Sequence, residues 1–305
     1  MFKYLRRDGD PKMSLYQVAK RQFSEWSEEK KQAKEQVSKE EFKTLAFWLK
    51  KYHMGMFFQP LISRETAKIK LTLHNRPLVL EFRQNQSDLY ILRENFIQNI
   101  YDFDYESIVP NVKSVVDLGA NIGLTSLYFQ NRFPNAKVVC VEPVSHNVEM
   151  IKKNASNNNF SWGVETAAIQ SSVGSVTLYP NEWWSSSTVN KDIADKRQSN
   201  EGRVEYNHKL PPEEVEAIPV DVVFDRHNMD IVDILKMDIE GAEEPAILDN
   251  PKWFQRVRIL IVEIHDKYVD RKKITKALLD AGFEGIVGRK GPTNVFINRR
   301  LENGK

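Results

Sequence analysis

The segment best suited to chemistry is Val115-Val116-Asp117-Leu118-Gly119-Ala120-Asn121-Ile122-Gly123, an apolar run that ends on glycine and leads into a helical stripe of Ile122, Leu124, Leu127 and Tyr128. Glycine at a strand-to-helix turn lets backbone approach a ligand and adopts positive φ without strain. In open α/β sheets, ligands bind beyond the carboxyl ends of the strands. The spacing is not the dinucleotide fingerprint, which needs glycine at positions 121 and 124, where this chain has Asn121 and Leu124. Glu142 closes the next apolar run, Lys137–Val141, 19 residues after Gly123. A carboxylate there accepts two hydrogen bonds from a ribose diol and repels a phosphate. The pair points to an adenosine-bearing ligand without phosphate at that position. The plain alternative for Glu142 is a surface carboxylate ahead of Pro143.

Four further groups are candidates for proton transfer: Asp238, Glu240, Glu263 and His265. Asp238 ends the run Ile234–Asp238, and Glu263 ends Arg258–Glu263 with His265 just beyond. His265 is favoured as base because an unperturbed imidazole titrates near pH ~6.5. A histidine bonded to backbone at the strand end is the structural alternative. Glu240 suits the N-terminus of a following helix equally well, and Glu263 is placed to orient His265 or bind a substrate hydroxyl. Such groups also suit a divalent ion, but nothing in their spacing requires one, and no metal is expected. Trp183 and Trp184 either wall an acceptor pocket or anchor a loop as buried indoles.

The elements that position these residues follow from hydrophobic period. Ser14-x-x-Gln17 and Ser38-x-x-Glu41 resemble capping boxes, and Phe42, Leu45, Ala46 and Leu49 form a helical stripe, so two N-terminal helices are expected. Residues 67–83 alternate about a turn at His74–Pro77 and read as a hairpin. A helix follows from about Ser87. From residue 113 strands and helices alternate, with Val164–Ile169 as the third strand, Val176–Tyr179 as part of an inserted hairpin, and two closing strands, 283–287 and 294–298, forming an antiparallel pair. This is a doubly wound α/β class. Residues 181–216 read as a long loop.

The chain has 305 residues and one cysteine, Cys140, which excludes an intrachain disulfide and a cysteine-based zinc cluster. No apolar run reaches the ~18 residues of a membrane span, and no secretory signal is read at the start, so a cytoplasmic protein is expected. Residues 1–60 carry 13 Lys/Arg against 8 Asp/Glu, within a chain of net charge +2. That modest excess suits a solvated helical face better than a nucleic-acid surface.

Asp117–Gly123 with Glu142-Pro143 resembles the cofactor site of class I, Rossmann-like methyltransferases, and the chain is most similar to the FkbM methyltransferase family. The resemblance rests on Ser87-Asp88 with Phe96, on Val116–Phe129, Arg132–Lys137, Val141-Glu142-Pro143 and Ala167-Ala168-Ile169, on Leu235-Lys236-Met237-Asp238-Ile239-Glu240-Gly241-Ala242-Glu243, and on Ile261–His265. It covers roughly residues 84–298. It implies a seven-stranded Rossmann-like sheet with the last strand antiparallel, as a domain of residues 84–305 behind a helical extension and hairpin of residues 1–83. It further implies S-adenosylmethionine as cofactor. Asp117, Gly119, Asn121 and Gly123 would line its methionine and ribose side, Glu142 would hold the ribose hydroxyls, Ala168 and Ile169 would flank the adenine, and Ser87 and Asp88 would cover it. Asp238, Glu240, Glu263 and His265 then face the acceptor. The implied reaction is O-methylation of a sugar or polyketide-like metabolite. RNA or amine N-methylation, NAD(P)-dependent oxidoreduction and non-catalytic cofactor binding are the alternatives. The Asn-Pro-Pro-Tyr-type motif of many amino methylases is absent, and no nucleic-acid partner is expected. The N-terminal extension is a candidate for homo-oligomer contacts.

Overall fold

The computed structural model describes residues 15–57, 62–180, 187–199, 211–286 and 293–302. The N-terminal part begins with α1 (Leu15–Gln36) and α2 (Lys39–Phe57). The expected box at the start of α2 is present: Ser38 Oγ accepts from Glu41 N–H at 3.4 Å, and the Glu41 carboxylate accepts from Ser38 N–H at 2.9 Å. The matching box at Ser14 lies outside the described residues. Leu45, Trp48 and Leu49 of α2 turn inward and are buried. The hairpin is β1 (Ile62–Leu73) and β2 (Arg76–Asn85). His74 and Asn75 both have positive φ, 48° and 60°, as a two-residue turn of matching twist requires. Leu71, Leu78, Leu80 and Phe82 are buried, so the hairpin shares one core with the helices. The chain then enters α3 (Gln86–Phe96), capped by Asn85, whose side chain accepts from Asp88 N–H.

The second part alternates strands and helices: β3 (Ser114–Leu118), α4 (Leu124–Arg132), β4 (Lys137–Val141), α5 (Ser145–Asn157), β5 (Gly163–Glu165), β6 (Ala167–Ile169), β7 (Gly174–Leu178), α6 (Lys191–Ser199), β8 (Glu213–Ile218), α7 (Val220–Arg226), β9 (Val232–Met237), α8 (Glu243–Leu248), β10 (Val257–Glu263), α9 (Arg271–Asp280), β11 (Phe283–Ile286), β12 (Thr293–Asn298) and α10 (Arg299–Glu302). Seven strands form the main sheet in the order β11-β12-β10-β9-β3-β4-β5. β12 is antiparallel to both its neighbours, and β10-β9-β3-β4-β5 pair in parallel. This is the expected Rossmann-like α/β sheet with an antiparallel last strand. Its strands are apolar on both faces. Val115, Val138, Cys140, Ile234 and Ile259 pack toward the hairpin and N-terminal helices, while Val116, Val139, Leu235 and Leu260 pack on the other side.

The chain runs outward from β3 through β4 to β5, then returns to lay β9 on the other flank of β3. The β3/β9 border is therefore the switch point, where a cleft opens at the strand ends.

Two expectations need correction. Val164–Ile169 is not one strand. β5 pairs with β4 in the main sheet, and after Thr166 the chain leaves to pair β6 with β8 in a separate three-stranded sheet, β6-β8-β7. Hydrophobic pattern alone does not reveal such a bend. Nor is 181–216 a plain loop, because it contains α6 and the start of β8. Trp183, Trp184 and His208 lie outside the described residues. Among the described residues, no helix is long and apolar enough to cross a membrane.

Candidate functional site

The turn after β3 is fixed by backbone. Gly119 and Ala120 N–H donate to Val141 O at 2.9 and 3.0 Å, and Asp238 N–H donates to Leu118 O at 3.1 Å. A Cβ on Gly119, whose φ is +75°, would lie 1.8 Å from the Asp238 carbonyl oxygen, so only glycine lets the turn meet the end of β9. Asn121 is left-handed at φ 50° and Gly123 at φ 80°. Asparagine tolerates this region better than most residues.

A cleft lies over these turns. Gly119, Ala120, Asn121, Glu142, Ala168, Ile169, Asp238 and Glu240 line it, all but Ala120 expected from the sequence. Glu142 is buried at 5% exposure. Its carboxylate accepts from Asn121 N–H at 2.9 Å, and from Val144 N–H and the Asn147 side chain at 3.1 Å each. Burial pushes its pKa up, against the pull of these donors. The Asn121 Oδ1 is buried with no hydrogen-bond partner among the described residues.

Four expected residues stand behind the cleft wall. Asp117 is fully buried, accepting from Ser126 Oγ at 2.7 Å and paired with Lys236 Nζ at 3.1 Å. Gly123 packs against Ile151 and Trp162. Asp88 is fully buried and clasped by the Arg83 guanidinium through two bonds of 2.9 Å, and Ser87 is buried beside it. The Arg83 guanidinium also donates to Asn147, which donates to Glu142. Asp88 thus braces the glutamate through two intermediaries.

At the other end of the cleft, His265 is ringed by carboxylates. Its Nδ1 lies 2.8 Å from Glu243, and its Nε2 lies 3.5 Å from Glu240 and 3.8 Å from both Asp238 and Glu263. Glu243 is fully buried and is also reached by the N–H groups of Ile239 and Gly241. Glu240 is left-handed at φ 55°, and this bend turns the chain between β9 and α8. Burial works to lower the His265 pKa, but Glu240, Glu243 and Asp238 outweigh it and push it up to about 10. Burial, then the Asp238 charge, pushes Glu263 up to about 9. With Glu243 on Nδ1, the Nε2 of His265 is left facing Asp238, Glu240 and Glu263. Asp238 and Glu240 face the cleft, and His265 and Glu263 stand behind them.

Sequence reasoning assigned no role to Lys236, Glu243 or Glu94. Lys236 interrupts an apolar strand, and a lysine in that setting calls for a buried partner. Its Nζ donates to Gly119 O at 2.7 Å and neutralises Asp117. Glu94, on the cleft-facing side of α3, is pushed up by burial to about 7.

Fold and site together define a Rossmann-like α/β protein with a ligand cleft at the sheet's switch point. The family model of the methyltransferase FkbM domain matches residues 117–284. Methyltransferase sdnD of Sordaria araneosa is 29% identical over 216 residues, covering 64% of this chain and 82% of that protein. The 31-O-demethyl-FK506 methyltransferase FkbM of Streptomyces tacrolimicus is 26% identical over 222 residues, covering 67% and 84%. Among solved structures, the T. thermophilus 16S rRNA N2 G1207 methyltransferase with AdoMet and guanosine aligns at 13% identity and a TM-score of 0.38, over 77% of this chain and 51% of that chain. This chain spans about half of that structure's length. The family match covers more than half of the chain, which belongs to the FkbM methyltransferase family. It is a methyltransferase.

Proposed function

We propose that the chain transfers the methyl group of S-adenosylmethionine to a hydroxyl of a sugar or polyketide-like acceptor. The observation that carries this reading is the two-ended cleft, with Glu142 and Asn121 at one end and Asp238 and Glu240 at the other. The first end suits the cofactor's nucleoside. Glu142 is an acceptor-only carboxylate with lone pairs to spare for a ribose diol, Asn121 Oδ1 lacks a donor, and Ala167, Ala168, Ile169 and Leu178 offer an apolar seat for adenine. The bound cofactor supplies an electrophilic methyl on a sulfonium.

The chain's own residues then have three tasks. Gly119 and Ala120 hold the turn that lets a ligand approach the backbone. The cleft walls align the acceptor and exclude water, which converts an encounter into an oriented displacement. Asp238, whose Oδ1 is buried without a hydrogen-bond partner among the described residues, accepts the acceptor's hydroxyl hydrogen as the new O–C bond forms and the C–S bond breaks, the pair staying on sulfur. Glu240 shares that wall, while His265 and Glu263 position both carboxylates. The acidic end also disfavours phosphorylated acceptors, which supports a neutral hydroxyl compound over RNA. The Streptomyces relative, named as a methyltransferase of 31-O-demethyl-FK506, fits an oxygen acceptor.

The test is transfer of label from S-adenosylmethionine to a panel of sugar, macrolide, amine and RNA acceptors. Labelling of hydroxyl compounds is expected. Labelling confined to amines or RNA would refute the reading.

A further inference from the structure

The geometry points to a divalent-cation site formed by Asp238, Glu240 and His265, with Glu263 at its rim. One ligand atom from each of the three lies within 4.8 Å of the others. The Nε2 separations of 3.5 Å to Glu240 and 3.8 Å to Asp238 and Glu263 are too long for hydrogen bonds. They match two ligands sharing one ion, since bonds of about 2.0–2.2 Å set neighbouring ligands about 3–4 Å apart.

Three further observations support an ion. Asp238 Oδ1 is buried with no hydrogen-bond partner among the described residues although it faces the imidazole. Glu243, fully buried, lies 2.8 Å from Nδ1. A carboxylate on the far nitrogen of a histidine is the usual outer brace of a metal ligand, because it fixes the tautomer and turns Nε2 toward the ion. Four carboxylates also surround one ring, and the nearest described cation on the cleft side, Lys236 Nζ, is 3.9 Å from Asp238 and already paired with Asp117. Crowded like charges away from water are costly, and a divalent ion offsets them. One imidazole with carboxylates suits manganese or zinc among the common ions.

Asp238 and Glu240 line the cleft, so the ion is positioned to bind oxygens of the acceptor, for which vicinal hydroxyls or a hydroxyl beside a carbonyl are the natural chelating partner. This assignment to the acceptor rests on the proposed function, whereas the cation site itself does not.

Calorimetric titration of the full chain, stripped with chelator, with MnCl2 and separately with ZnCl2 tests the site. One ion per chain is expected. Asp238→Asn and His265→Gln should each abolish measurable binding, and Glu243→Gln should weaken it by roughly 10- to 100-fold, as for other braces of metal-bound histidine. Circular dichroism and titration with S-adenosylhomocysteine on the same samples show whether each variant is folded. Cation binding in the wild type, lost in folded variants, supports the site even where S-adenosylhomocysteine fails to bind, a result that sinks the proposed function alone. Absence of binding for both ions in a folded wild type overturns the site, as does binding that survives in both ligand variants.

Discussion

The Glu142 carboxylate accepts the backbone N–H of Asn121 at 2.9 Å, joining the end of β4 to the left-handed turn after β3. One side chain therefore both holds the turn in shape and faces the cleft. Removing it deletes a charged acceptor, and hydrogen bonds to charged groups contribute roughly 1.5–3 kcal/mol. Glu142→Ala is expected to weaken S-adenosylhomocysteine binding by roughly 10- to 100-fold, read by calorimetry. Affinity equal to wild type would show that Glu142 only shapes the turn.

Asp238 is placed at the opposite end with an oxygen free of hydrogen bonds to described residues. Asp238→Asn should lower kcat by roughly 100-fold or more, the usual size of a general acid–base contribution. S-adenosylhomocysteine affinity should remain near the wild-type value. Loss of cofactor affinity with unchanged kcat would instead place Asp238 on the cofactor.

Lys236 and Asp117 form a pair with side-chain exposures of 4% and 0%, at 3.1 Å. Breaking a buried pair from one side leaves an uncompensated charge and costs about 3–5 kcal/mol. Lys236→Met should lower unfolding free energy in urea by that amount. A much smaller loss would mean that water reaches Asp117.

Glu29 ties α1 to the rest of the chain. Its carboxylate meets His53 at 2.9 Å and Arg93 at 2.5 Å, and all three side chains are buried. Burial raises the Glu29 pKa, but His53 and Arg93 outweigh it and leave it lowered. A carboxyl group lowered on folding stabilises the native state above its unfolded pKa of ~4.3, and that contribution is lost as pH falls through the lower folded value. Glu29→Gln should therefore destabilise the chain at pH 7, and the difference from wild type should shrink below about pH 4. Urea titrations of both proteins across that range check it. A difference that persists unchanged in acid would contradict the ionic account.

Gly119, Asn121 and Glu142 were legible in the sequence because strand ends and turn glycines leave a spacing that period alone exposes. Asp238 and Glu240 were legible for the same reason, as the residues just past an apolar strand. The resemblance placed Ser87 and Asp88 over the cofactor but could not give their direction. Asp88 instead turns inward onto Arg83, a partner five residues back across the turn from β2 into α3. The place of Glu243 beside His265 was hidden because the two residues lie 22 positions apart in the chain and meet only in the fold. The split after Thr166 and the short helices α6 and α7 were missed because three to nine residues are too few for a period to declare itself. Lys236 was visible as a charge inside an apolar strand, a setting that calls for a buried partner.

The cleft over Gly119, Asn121 and Glu142 is proposed to hold S-adenosylmethionine. Calorimetric titration of the full chain with S-adenosylhomocysteine, with NAD as comparison, tests it most directly. One S-adenosylhomocysteine per chain is expected to bind, more weakly in Glu142→Ala, with no heat from NAD. A folded chain that fails to bind S-adenosylhomocysteine, or that binds NAD in its place, would contradict it.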